Sequence, residues 1–187
     1  MRIRWIACAA LALAFSFEAS ATIVTFEGVA AGGFNCANVY TEAGFTLTQP
    51  GENACVWSSE VWNTTGSDYY SWSDLSANNP IVMDTVSGNP FDLGALDVGA
   101  HFTTVSVFDI IGYLSGGGTV VANVFSLGNF TNLVLGWTNL TSVEFHYVTG
   151  NFPAIDNLEL AEVPEPTTAA LLGLGLAGLA ARRRRLN

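Results

Sequence analysis

The stretch that decides the fold class is TTVSVFDIIGYLSGGGTVVANVFSL, residues Thr103–Leu127. Two runs rich in valine, isoleucine and phenylalanine flank the glycines Gly116–Gly118, and β-branched and aromatic residues favour strands. Glycine supplies the backbone freedom that a tight turn needs. The stretch therefore predicts a β-hairpin. A phosphate-binding loop is excluded, because neither a helix nor a lysine follows the glycines.

The same strand pattern, interrupted by turn residues, extends outward from this hairpin. Residues 142–149 alternate between polar and apolar side chains, as a half-buried strand does. No amphipathic stretch has the helical period of 3.6 residues. We predict one all-β domain over residues 22–161, folded as a two-sheet, jelly-roll-like sandwich. The strand candidates are Thr22–Glu27, Gly44–Gln49, Ala54–Trp57, Ile81–Val86, Leu93–Val98, Thr103–Tyr113, Thr119–Leu127, Thr131–Trp137, Ser142–Thr149 and Ala154–Glu162.

The charges of the chain are distributed unevenly. All 6 basic residues are arginines, at positions 2, 4 and 182–185, and there is no lysine. Of the 16 acidic residues, all but Glu18, Glu162 and Glu165 lie between residues 22 and 161, which leaves 13 in the domain. A domain without cations cannot neutralise phosphates, so nucleic-acid binding is excluded. Each carboxylate must be solvated, hydrogen-bonded to neutral donors or bound to a metal ion.

Two cysteines, Cys36 and Cys55, lie within the predicted domain. An isolated pair in an oxidising compartment predicts a disulfide, which at this spacing contributes about 3 kcal/mol to stability in the chain-entropy model. A zinc site would need three or four cysteine or histidine ligands, so the disulfide is the favoured interpretation.

The N-terminus has the parts of a secretory signal peptide. Arg2 and Arg4 precede an unbroken apolar run over residues 5–15, and Ala19-Ser20-Ala21 offers the small side chains that signal peptidase accepts. We predict that residues 1–21 form a signal peptide cleaved after Ala21. The alternative, an N-terminal membrane anchor, needs about 20 apolar residues, and the run is shorter.

Residues 162–187 differ in composition from the domain before them. Pro164-Glu165-Pro166 ends the sheet, residues 167–181 carry no charge, and Arg182–Arg185 follow. A helix over residues 167–181 would be about 22 Å long, short of the ~30 Å hydrocarbon core of a bilayer. The arginines orient it with the β-domain outside the membrane. We predict a short C-terminal transmembrane helix that anchors the precursor transiently in the inner membrane.

Those three ordered parts, the motif Pro164-Glu165-Pro166, the helix and the arginines Arg182, Arg183, Arg184 and Arg185, resemble the PEP-CTERM sorting signal of Gram-negative bacteria. The resemblance implies recognition by an exosortase, a membrane cysteine protease thought to cleave near the Pro-Glu-Pro motif. It further implies export to the cell surface or extracellular matrix, where such proteins are associated with exopolysaccharide and biofilm. Release and attachment of the product both stay open.

A second resemblance concerns the domain itself. Thr25-Phe26-Glu27-Gly28, Ala43-Gly44-Phe45-Thr46 and Ile155-Asp156-Asn157-Leu158 are similar in arrangement to galactose-binding-like jelly rolls, which include several carbohydrate-binding modules. The resemblance implies that Glu27 and Asp156 help to hold a structural calcium ion.

Asp156 also attracts attention on the residue pattern alone. It shares strand parity with Leu158 and Leu160, so we expect it at the end of a buried face, where a carboxylate needs partners. The alternative to calcium is a carboxylate that accepts backbone N–H hydrogen bonds.

Aromatic residues are concentrated in the polar segment that follows Trp57. The rings of Trp62, Tyr69, Tyr70 and Trp72 could form a platform on which sugar rings stack. The alternative is a long loop folded over one edge of the sandwich, with its rings covering the core.

No catalytic group stands out, so we predict a protein of the cell surface or extracellular matrix that is not an enzyme. The two resemblances imply that it binds extracellular polysaccharide. His101 and His146 lack partners at a recognisable spacing and are expected to be ordinary surface histidines. The alternative is a secreted hydrolase acting on polysaccharide, because a glycosidase needs only two suitably spaced carboxylates. The sequence singles out no such pair.

Overall fold

The computed structural model describes residues 21–30, 32–49, 54–58, 66–72, 80–102 and 104–163, which lie within one compact unit, Ser20–Val163. These residues form β-strands and no helix, which confirms the predicted all-β class. The strands are β1 (Ala21–Val24), β2 (Phe34–Cys36), β3 (Val39–Glu42), β4 (Phe45–Thr48), β5 (Ala54–Trp57), β6 (Tyr69–Trp72), β7 (Ile81–Thr85), β8 (Phe91–Ala100), β9 (Ser106–Leu114), β10 (Thr119–Ser126), β11 (Thr131–Gly150) and β12 (Pro153–Glu162).

Hydrogen bonds join all these strands into one continuous sheet, which β11 divides into two layers. The first half of β11, residues 131–140, pairs with β8, and the second half pairs with β9 and β7. The first layer runs β2-β5-β6-β12-β8-β11, with β1 also on β12, and the second runs β10-β9-β11-β7-β4-β3. Strand β11 therefore belongs to both layers.

Aromatic side chains fill the space between the two layers. Phe45 on β4 packs edge-on against Phe91 on β8, with ring centroids 5.5 Å apart. Trp72 on β6 packs in the same way against Phe108 on β9, also at 5.5 Å. These pairs reach from one layer to the other and are fully buried. The predicted two-sheet sandwich is thus confirmed.

The β9–β10 hairpin predicted from Gly116–Gly118 is present. The two strands pair without interruption from Ser106↔Ser126 to Tyr113↔Thr119. Gly117 and Gly118 have φ of 87° and 91°, a left-handed conformation that glycine adopts without the strain a side chain would bring.

The predicted strands Thr131–Trp137 and Ser142–Thr149 are in fact one strand, β11. Gly136 and Asn139 have positive φ, 62° and 57°, and the register shifts there against β8. These residues make bulges that bend the strand from one layer into the other, because a bulge inserts residues without ending the pairing. Strands β2, β3 and β6 lie outside all the strand candidates.

The predicted signal sequence up to residue 20 and the sorting tail from residue 164 lie outside the described residues. This includes the Pro164–Pro166 motif, the helix over 167–181 and Arg182–Arg185. No helix in the described part of the chain is long and apolar enough to cross a membrane.

Candidate functional site

The two predicted calcium ligands lie at the same end of the first layer. Asp156 on β12 is directly opposite Asp97 on β8 and is 1% exposed. The charge of Glu27, in the turn after β1, is close enough to act on Asp156. We call Glu27, Asp97 and Asp156 the acidic cluster.

Asp156 is buried as expected, but not on the core face. Ile155 and Leu158 both contact the core, which places Asp156 on the opposite face of the sheet. The parity changes because Asn157 has a positive φ of 47° and the register against β8 shifts between Asp156 and Glu159. The expectation that Asp156 shares a face with Leu158 was wrong, because a bulge cannot be read from simple alternation.

Neutral donors surround the Asp156 carboxylate. Oδ1 accepts a hydrogen bond from the backbone N–H of Asn157 at 2.7 Å, and Oδ2 accepts one from the hydroxyl of Ser67. The side-chain amide of Asn157 donates to Asp97 Oδ2 at 2.9 Å and to Asp156 Oδ2 at 3.3 Å. The backbone N–H of Asp68 donates to Glu27 Oε1 at 3.2 Å, which ties the loop before β6 to the cluster.

Burial dominates the electrostatics of this carboxyl group. The pKa of Asp156 is raised from 3.8 to about 7, chiefly by burial and to a smaller extent by the charges of Asp97 and Glu27. The hydrogen bonds from Ser67 and Asn157 oppose this shift because they favour the ionised form.

The acidic cluster is not a complete metal site by carboxylates alone. Within the ranges that the structure describes, no group of three or more His, Cys, Asp or Glu side chains is arranged to hold a metal ion. A calcium ion held by Glu27 and Asp156 would need further oxygen ligands from carbonyl, hydroxyl or amide groups, which calcium accepts.

Of the two interpretations of the aromatic segment, the structure favours the one in which the rings cover the core, although they lie on a strand and not on a loop. Tyr69, Tyr70 and Trp72 form β6 and are at most 1% exposed. Because a sugar ring cannot stack on a ring that solvent does not reach, these three residues are corrected to core residues. The strand alternates poorly in sequence, which hid its position inside the sheet. Trp62 lies outside the described residues.

His101 is not a surface histidine. It is 2% exposed, and its Nδ1 is hydrogen-bonded to the hydroxyl of Tyr69 at 2.8 Å. The rings of Trp57 and Phe102 lie 4.2 and 4.4 Å from the imidazole, centroid to centroid. Burial lowers the pKa of His101 from 6.5 to about 4, because the cation is disfavoured away from water. The apolar residues on both sides of His101 in the sequence were the available signal.

The predicted disulfide between Cys36 and Cys55 is confirmed. The two residues are direct partners on β2 and β5, with Cα atoms 4.0 Å apart. The bridge therefore links two neighbouring strands at the end of the first layer.

The outer face of the second layer presents a different set of functional groups. Phe108, Ile110, Val124, Val143 and Phe145 point into the core. Their neighbours in sequence therefore point outward. We call the surface formed by these neighbours on β9, β10 and β11 the outer face. Its members are Val107, Asp109, Ile111, Tyr113, Val121, Asn123, Phe125, Glu144 and His146.

A polar row crosses the three strands of this face. Asn123 is opposite Asp109, and Asp109 is opposite His146. The amide of Asn123 donates to Asp109 Oδ1 at 2.7 Å. The row is bounded on one side by Phe125 and Val107 and on the other by Val121 and Ile111, which are paired in the same register.

Glu144 connects this row to a tyrosine. Its Oε2 accepts hydrogen bonds from the hydroxyl of Tyr113 at 2.9 Å and from His146 Nε2 at 2.8 Å. The bond to Glu144, followed by burial and the carboxylate charge, raises the pKa of Tyr113, so that its proton stays available for donation. About a quarter of each of the Glu144 and His146 side chains is exposed. The sequence indicated His146 and Glu144 as members of a polar face but not their contact with Tyr113.

Comparison with known proteins identifies one segment by sequence. Residues 162–185 match the PEP-CTERM protein-sorting motif, which confirms the predicted sorting signal and indicates an exported, exosortase-sorted protein. No curated protein matches the chain.

Several solved structures are similar to this chain. The CBM22-1 xylan-binding domain of Paenibacillus barcinonensis Xyn10C has 11% identity and a TM-score of 0.42, covering 80% of this chain and 100% of that one. The family 11 carbohydrate-binding module of Clostridium thermocellum Lic26A-Cel5E has 12% identity and a TM-score of 0.36, covering 79% and 97%. The enzymatically active domain of bacteriophage CBA120 tailspike protein 4 has 16% identity and a TM-score of 0.33, covering 65% and 20%.

Proposed function

We propose that this exported protein is a non-enzymatic component of the cell surface or extracellular matrix, and that it binds polysaccharide through its outer face. The observation that carries the proposal is the fixed polar row on that face. Asn123 already holds Asp109, and Tyr113 and His146 already hold Glu144.

This arrangement suits a sugar because a pyranose ring has apolar C–H faces and hydroxyl groups at its edge. Carboxylate, amide and imidazole groups can exchange hydrogen bonds with the hydroxyls. The ring of Tyr113 and the flanking rows of Phe125, Val107, Val121 and Ile111 offer apolar surface to the C–H faces. Side chains that are already held in place lose little conformational entropy on binding, which favours affinity.

The test is a glycan array combined with turnover assays on exopolysaccharide from the host. We expect saturable binding to at least one glycan and no release of shorter products. If the protein binds nothing on the array or in the host polysaccharide, the proposal is wrong.

A polysaccharide hydrolase is the second candidate, because Asp109 and Glu144 are two carboxylates on one exposed face. Release of shorter products that stops in both Asp109→Asn and Glu144→Gln would favour this function over binding alone.

The route to the exterior is proposed from the two ends of the chain. Signal peptidase would remove residues 1–21, and an exosortase would cleave an inner-membrane-anchored precursor near Pro164–Pro166. The expected observation is an extracellular species, in an intact-mass measurement of protein from its own host, that lacks residues 1–21 and the arginines Arg182–Arg185. A dominant extracellular form that retains Arg182–Arg185 would contradict this route.

We also propose a structural calcium ion at the acidic cluster, held by Glu27 and Asp156 with nearby oxygen ligands. The support is chemical: hard oxygen ligands gather at a buried carboxylate in a domain that has no lysine or arginine to neutralise them. Bound calcium would supply that positive charge. At a hundredfold excess over Kd it would stabilise the fold by about 2.7 kcal/mol, which is several degrees in Tm.

Thermal unfolding of the exported protein tests the calcium site. Calcium should raise Tm more than magnesium at the same concentration, and Asp156→Ala should abolish the difference. Equal effects of the two cations would indicate general screening of negative charge and would remove the proposal.

A further inference from the structure

Strand β10 is an unprotected edge of the second layer. Among the described strands, only β9 pairs with it, and their register is continuous over the whole strand. Natural sheets usually block such edges with lysine, proline, a bulge or an inward-pointing charge. Thr119–Ser126 contains none of these.

The edge strand itself carries no charge, and the carboxylate of Asp109, hydrogen-bonded to Asn123, lies one strand further in on β9. Residues 110–143 contain no Asp, Glu, Lys, Arg or His, although the domain around them has 13 acidic residues. Four exposed large apolar side chains are found here: Val121 is 57% exposed, Phe125 65%, Leu127 71% and Val134 75%. An apolar, charge-free edge is therefore open to solvent on a strongly acidic protein.

We propose that β10 pairs with β10 of a second copy of this chain, which joins the second layers of the two copies into one sheet. The distribution of charge favours a second copy as the partner. Two copies repel each other wherever their carboxylates face, and the neutral edge lets them approach without that cost. A strand edge supplies the unpaired N–H and C=O groups that hold them together.

The sequence of β10 is self-complementary for antiparallel pairing. With the two-fold axis at Asn123, the two asparagines face each other, and Val121 of one copy lies opposite Phe125 of the other. Amide–amide and apolar–apolar pairs of this kind stabilise neighbouring strands. The same symmetry places both outer faces on one side of the joined sheet, so the dimer would present two of them to one polymer. The pairing itself does not depend on the proposed function.

Sedimentation equilibrium of the exported protein, purified from its host, tests the proposal. We expect a reversible monomer–dimer equilibrium for the wild type. In the double variant Val121→Asp/Phe125→Asp each new carboxylate faces one in the other copy, so dimerisation should weaken about tenfold or more.

Val148→Asp is the matched control. Val148 is 49% exposed and lies on β11, which β9 separates from the edge. The substitution adds a charge away from the pairing strands, so the variant should dimerise like the wild type. A wild type that stays monomeric at all concentrations, or equal weakening by Val148→Asp, would overturn the proposal.

Cross-linking tests the register without relying on a destabilising change. Asn123→Cys places two thiols across the axis and should form a disulfide-linked dimer under mild oxidation, whereas Val148→Cys should not. Equal cross-linking of the two variants would contradict pairing through β10.

Discussion

The acidic cluster and the outer face both contain hydrogen-bonded carboxylates, but their surroundings differ: Asp156 is buried, whereas Glu144 is partly exposed. Asp156 is buried beneath Ser67 and Asn157, and burial raises its pKa to about 7. Glu144 accepts a comparable pair of hydrogen bonds but remains accessible to solvent. A buried carboxylate affects the free energy of unfolding, whereas an exposed carboxylate with fixed partners is accessible to a ligand. Exposure, more than residue type, therefore separates the carboxylate that contributes to stability from the one that we propose to contact a ligand.

The largest expected effect separates the two regions by stability. Asp156→Ala leaves the hydroxyl of Ser67 and the N–H of Asn157 without their acceptor in a buried site, so we expect a loss of about 2–3 kcal/mol in the free energy of unfolding at pH 4. At this pH the carboxyl group of the folded protein is neutral, whereas at pH 7 the substitution would also remove the cost of burying a charge and so offset the loss. Glu144→Ala should cost less than about 1 kcal/mol, because water can replace the carboxylate. Urea unfolding at pH 4 measures both, and a larger loss for Glu144→Ala would contradict the comparison.

The two histidines extend the same comparison to pH. The folded pKa of His101, about 4, is below its ordinary value of 6.5, so the folded state resists protonation. The contribution of neutral, buried His101 to the free energy of unfolding is complete above pH 6.5 and is lost as the pH falls toward 4. By pH 5 the loss amounts to about 2 kcal/mol.

The measurement is urea unfolding at pH 7 and pH 5 for the wild type, His101→Gln and His146→Gln. Between pH 7 and pH 5, His101→Gln should lose about 2 kcal/mol less free energy of unfolding than the wild type. His146→Gln should leave the wild-type loss nearly unchanged, because His146 is partly exposed on the outer face. Equal slopes in the two variants would show that burial of His101 does not govern acid stability.

Local sequence signals predicted the parts of the fold that depend on local chemistry. The three glycines indicated the β9–β10 hairpin, and the isolated cysteine pair indicated the disulfide. The sorting motif was recognisable because its parts follow one another in a fixed order.

The features that sequence did not reveal depend on long-range packing. Gly136 and Asn139 resemble turn residues but make bulges within β11, because β8 and β9 continue to pair on either side of them. The bulge at Asn157 likewise turned Asp156 to the other face. The contact of Tyr113 with Glu144 joins residues from strands that are distant in sequence, so no local pattern predicts it.

The most direct test of the account compares two isosteric substitutions that remove one carboxylate each. Affinity for exopolysaccharide from the host is measured for the exported wild type, Glu144→Gln and Asp156→Asn. At pH 9, above the pKa of Asp156, both variants remove one negative charge, so general electrostatics cannot distinguish them. The account predicts that Glu144→Gln weakens binding about tenfold or more and that Asp156→Asn leaves it unchanged. Loss of binding in Asp156→Asn with full affinity in Glu144→Gln would contradict it.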